Sequence, residues 1–84
     1  MDKKKILISK MNYDYDKKAD VLYISLGKPK EAICVEKEAG ILLRVDPFKD
    51  KVVGITVVNV KEKVPSLSKQ NIEKFTQKQL EKYA

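Results

Sequence analysis

Histidine is absent from this 84-residue chain. That removes the commonest general base, the Ser-His and Cys-His pairings, and most zinc sites. The one cysteine, Cys34, has no imidazole to activate it. It lies in the run Ala32-Ile33-Cys34-Val35, which reads as a core or near-core strand rather than a nucleophile's setting. Carboxylates and cations remain. Asp14, Asp16 and Asp20 gather around one turn signal, and Asp46 and Asp50 bracket another. Such clusters can hold magnesium or calcium. Turns also select aspartate, because its side chain accepts bonds from nearby backbone amides. No EF-hand spacing is present, and Lys17 and Lys18 offset the first cluster. Turn chemistry is the stronger reading, so neither a metal nor another cofactor is expected. Asp20, just before an apolar run, reads as an anchor for its hairpin. Arg44 suits a phosphate, but Asp46 stands two residues along on the same strand face as a nearer partner. No catalytic set emerges, and a non-enzyme is expected.

The cations are the other chemical resource. The net charge is +6, with 36% of residues charged and no tryptophan. Residues 1–10 hold four lysines against one aspartate, and residues 69–84 hold four lysines against two glutamates, so the excess sits at the ends. Lys74, Lys78 and Lys82 recur every four residues and form a stripe on a helix. With Lys69 and Lys3–Lys5 they could follow a phosphate backbone. There is no Gly-rich phosphate loop, helix-turn-helix pair or RNA-binding aromatic motif. A solvated, Lys/Glu-rich surface of the kind thermophiles use is the plainer account.

The elements that position these groups are legible in the turns. Asp16–Asp20, Gly27–Lys30, Lys37–Gly40, Pro47–Lys51 and Lys61–Ser68 separate strand-length runs at Val21–Leu26, Glu31–Glu36, Ile41–Asp46 and Val52–Val60. Tyr13 and Tyr15 lead a further strand. Short connections predict antiparallel sequential neighbours, a meander. Alternation puts Leu22, Ile24 and Leu26 on one face and Val21, Tyr23 and Ser25 on the other. It sets Ile41, Leu43 and Val45 against Leu42, Arg44 and Asp46, and Val53, Ile55 and Val57 against Val52, Thr56, Val58 and Val60. Gly54 marks either a bulge or a tight packing spot. After Pro65, Ser66 or Ser68 can cap a helix. At ~100° per residue, Ile72, Phe75, Thr76, Gln79, Leu80 and Tyr83 share a face, which should pack on the sheet or on a partner. A second subunit is the natural cover for the other sheet face.

The pattern Tyr13-Asp14, Asp16, Ala19-Asp20-Val21-Leu22-Tyr23-Ile24, Leu26 is followed by Gly40–Asp46 and by Val53-Gly54-Ile55-Thr56-Val57. Over residues 11–60 it resembles the DUF2283 family of small uncharacterised prokaryotic proteins. The resemblance implies a small β-rich domain and brings no established activity. Some members are encoded beside small toxin-like proteins, which implies an antitoxin role for part of the family. The C-terminal helix lies beyond the shared core.

The expected molecule is an α+β domain. A small antiparallel β-meander of four to five strands over 11–65 carries a C-terminal amphipathic helix over 66–84, with residues 1–10 as an N-terminal extension or edge strand. Tyr13, Asp14, Asp16, Asp20 and Tyr23 build its hairpin. The unpaired cysteine and the lack of a signal-peptide pattern or membrane-length apolar run imply a cytoplasmic protein. The expected function is a small interaction module, antitoxin-like in its most concrete form. It would form a homodimer and bind a small toxin-like protein through the helix residues Ile72, Phe75, Leu80 and Tyr83 or through a sheet edge. The alternative is a nucleic-acid-binding module using Lys69, Lys74, Lys78 and Lys82.

Overall fold

A computed structural model describes residues 11–27 and 31–83. The elements are β1 (Met11–Asp16), β2 (Val21–Leu26), β3 (Ile33–Glu38), β4 (Ile41–Asp46), β5 (Lys51–Val58), a single turn α1 (Val60–Lys63), and α2 (Lys69–Tyr83). The expected strand over residues 1–10 falls outside the described residues, as do positions 28–30 of the second turn. The five strands form one antiparallel sheet in the order β1-β2-β5-β4-β3. A C-terminal helix completes the α+β architecture.

Sequential pairing holds for β1–β2, β3–β4 and β4–β5, but β2 pairs with β5 rather than β3. The two strands differ in what they can bury. β5 is the longest and carries Ile55 and Val57 at 0% exposure, so it takes the centre. β3 ends Glu36-Lys37-Glu38 and takes an edge, where charged side chains stay in water. All six β3 residues are exposed, which corrects the core placement expected of Cys34. Its flanking Ile33 and Val35 resemble a buried strand in sequence, yet they are 55% and 37% exposed.

One sheet face holds the core. Leu22, Ile24, Ile41, Leu43, Ile55 and Val57 pack there with Met11, Val60 and Val64, and Ile72 and Leu80 of α2 close the layer. Of the two occupants open to the apolar helix face, it takes its own sheet. Ser68 is the cap: its Oγ accepts the Asn71 N–H at 3.2 Å, and its carbonyl accepts the Ile72 N–H at 3.0 Å. Thr76 is fully buried and satisfied, donating its hydroxyl to the Ile72 carbonyl at 2.7 Å. Gln79 is buried on the same face, and its Oε1 has no hydrogen-bond partner among the described residues.

β5 ends two residues before the expected strand boundary. Asn59 takes a left-handed conformation at φ 61°, which asparagine tolerates, and turns the chain into α1. This drops Val60 into the core at 1% exposure. Within β5 a bulge falls beside Gly54: Arg44 opposes Gly54, but Val45 opposes Val52, leaving Val53 as the extra residue. The slip places Val52 among the side chains packed against the core, where simple alternation puts it on the opposite face.

Gly54 is also a close-approach site, so both readings of it hold. A Cβ there would lie 2.7 Å from the Ile24 carbonyl oxygen and 3.4 Å from the Arg44 side chain. Replacing an interior strand glycine by alanine ordinarily stabilises by roughly 0.5–1 kcal/mol. Here the obstacle is backbone on the neighbouring strand. Gly54→Ala is expected to destabilise by about 1–3 kcal/mol in urea unfolding, and an unchanged or raised midpoint would refute this packing.

Candidate functional site

Of the hairpin residues singled out in the sequence, Asp16 and Asp20 make structural contacts, while Tyr13, Asp14 and Tyr23 are exposed on their strands. Asp16 closes the β1–β2 connection, its Oδ1 accepting the N–H groups of Lys18 at 3.1 Å and Ala19 at 3.2 Å. Asp20 is left-handed at φ 58°. Its Oδ1 accepts the Tyr15 hydroxyl at 2.7 Å, its Oδ2 the Lys61 N–H at 3.2 Å, and its carbonyl the Val60 N–H at 3.3 Å. One aspartate thus ties the first hairpin to α1, forty residues on. The bond to Asp20 raises the Tyr15 pKa, because it favours the protonated phenol.

The β4–β5 connection repeats this construction. Asp46 Oδ1 accepts the N–H groups of Phe48 at 2.9 Å and Lys49 at 3.2 Å, and Asp50 is left-handed at φ 53°. In both loops the first aspartate bonds the backbone two and three residues on, and the fifth residue turns left-handed. Among the described residues no three histidine, cysteine or acidic side chains gather into a metal-ligating group.

Both ends of α2 are engaged. Lys82 donates to Glu38 Oε2 at 3.1 Å, and the Tyr83 hydroxyl donates to the same oxygen. These bonds latch the helix terminus to the β3–β4 hairpin, whose turn needs Gly40 at φ 83°. Of the four residues read as a partner-binding face, Ile72 and Leu80 are fully buried against the sheet, and Phe75 and Tyr83 are half-buried beside them. The docked helix leaves Ile72 and Leu80 no free surface for a partner. Lys69, Lys74, Lys78 and Lys82 are all exposed.

The surface that remains is the sheet face opposite α2, which sequence alternation outlines but cannot assemble across strands. The registers align two rows over all five strands. One runs Asp14, Tyr23, Thr56, Leu42, Glu36, and the other Asn12, Ser25, Gly54, Arg44, Cys34. Val21 and Val58 pair alongside. Tyr23 is 46% exposed, while Val21, Leu42, Thr56 and Val58 are half-buried. Among the described residues no helix lies over these rows. The result is an apolar centre with a cationic side chain in it and a carboxylate at each sheet edge. Among the described residues no helix is long and apolar enough to cross a membrane.

The Glu38 latch has a definite pH signature. The Tyr83 hydroxyl, then the Lys82 ammonium, hold the Glu38 carboxyl below its ordinary value of 4.5. A depressed carboxyl stabilises the fold above that value and loses its contribution as pH falls through the lower, folded one. Glu38→Gln should therefore lower the melting temperature at neutral pH and flatten its decline below pH 4.5. An acid limb identical to wild type would show that the latch contributes nothing.

The family model for DUF2283, a protein of unknown function, matches residues 12–61, more than half the chain. That span runs from β1 into α1, so it contains the open face and the Asp loops and leaves α2 outside. No curated protein and no solved structure matches the chain. By its matching family model, laid over the five-stranded sheet just described, the chain belongs to the DUF2283 family.

Proposed function

We propose that the protein is a non-enzymatic interaction module whose open sheet face pairs with a second copy of the chain. The observation that carries this reading is the face itself. Its apolar centre of Tyr23, Leu42, Val21 and Val58 is uncovered among the described residues, and its charges are self-complementary. Arg44 lies on β4, one strand in from the β3 edge, with Asp14 and Glu36 at opposite edges. A two-fold axis brings each arginine toward the partner's acidic rim while the apolar residues meet.

The dimer then offers β3 to a further protein. β3 is a terminal strand with six exposed residues, a form that accepts an added strand. In its most concrete form the module is antitoxin-like and holds a small toxin-like protein, which rests on family analogy alone. A second reading, a nucleic-acid-binding module, is favoured by the exposure of Lys69, Lys74 and Lys78 along α2.

Sedimentation of wild type and Leu42→Asp tests the proposal. Wild type should be a dimer, and the variant should be monomeric with an unchanged circular dichroism spectrum, because Leu42 lies outside the core cluster. A wild-type monomer at every concentration, or a dimer indifferent to Leu42→Asp, would contradict it. An oligonucleotide complex that salt dissolves would select the second reading.

A further inference from the structure

Between α2 and the segment leading into it runs a groove of about 210 Å³. Lys63, Val64 and Pro65 form one wall, and Lys74, Phe75 and Lys78 the other, with Asn71 beside them. Its floor is apolar: Val64 is 3% exposed, and Phe75 is half-buried against the core. Its rim is cationic. Lys74 and Lys78 are exposed and one helical turn apart. Lys63 also lines the groove, while its ammonium donates to the Val58 carbonyl at 2.9 Å. No acidic side chain lines the groove, and the first turn of α2 has none to offset the positive end of its dipole.

Charge and size together identify the occupant. Drug-sized ligands fill pockets of roughly 300–1,000 Å³, so this groove suits one bulky side chain of a peptide. The chain's own residues 1–10 are excluded by charge, with four lysines against one aspartate. A phosphate backbone would satisfy the lysines but leave the exposed Pro65 and the half-buried Phe75 without an apolar partner.

We propose that this groove binds an acidic peptide segment of a partner protein, with carboxylates on Lys74 and Lys78 and one large apolar side chain on the floor. The groove flanks α2, on the opposite side of the sheet from the open face, so the proposal stands or falls independently of dimerisation.

The test is fluorescence anisotropy on the full chain with a labelled peptide of alternating glutamate and leucine. Lys74→Glu/Lys78→Glu should raise Kd at least about tenfold. Lys17→Glu/Lys18→Glu makes the same charge change on the β1–β2 loop, outside the groove lining, and should leave Kd within about twofold. Replacing leucine by serine in the peptide should weaken binding as clearly as replacing glutamate by glutamine. Should the double helix variant misfold by circular dichroism, Lys74→Gln/Lys78→Gln gives the same comparison at lower charge cost. No binding by wild type, equal loss in the loop variant, or equally tight binding of the Glu/Ser peptide would overturn the proposal. So would a single-stranded oligonucleotide that outcompetes the peptide.

Discussion

The contact between α2 and one face of the sheet is the constraint on which the other features depend. A fifteen-residue helix is marginal in water by itself. Ile72 and Leu80 reach 0% exposure only by meeting Leu22, Ile24, Leu43 and Ile55, and full burial of such side chains is worth about 1.5–3 kcal/mol each. The sheet needs the helix equally, because its core face is otherwise open to water. One helix covers one face, and among the described residues no other element lies over the second. Among the described residues the buried Gln79 Oε1 has no hydrogen-bond partner, a local conflict within the helix layer that costs about 1–3 kcal/mol.

The aspartates serve this arrangement from the other side. The sheet rests on tight hairpins, and two of them use the same device, an aspartate that bonds the following amides and a left-handed aspartate that ends the loop. Asp20 goes further by bonding α1, which aims the chain from the end of β5 toward the start of α2. Of the carboxylates that look like a metal cluster in the sequence, those of Asp16, Asp20 and Asp46 are engaged with backbone N–H groups. Hairpin geometry, helix docking and the latch at Glu38 are thus successive links in one construction.

Much of this is visible in the sequence because it is local. Turn composition locates the strands, alternation groups Leu22 with Ile24, Ile41 with Leu43 and Ile55 with Val57 on shared strand faces, and helical periodicity selects Ile72, Thr76, Gln79 and Leu80. What is lost is relational. Pairing of β2 with β5 depends on competition among strands for the centre, which no single segment encodes. Cys34 is misjudged because Ile33-Cys34-Val35 has the composition of a core strand and the position of an edge. The bulge moves Val52 between faces without any change in its own neighbours. The lysine groove joins residues 63–65 to 71–78 across a helix start, and only their docking makes it a site.

The account therefore rests on α2 being part of the domain rather than an appendage free for a partner. The direct measurement is thermal unfolding of the chain with residues 66–84 deleted, compared with the full chain. The account predicts that the truncated protein loses its cooperative transition, since its core face is stripped. A truncated protein that melts cooperatively at the full-chain temperature would contradict it and would return α2 to the role of a free interaction arm.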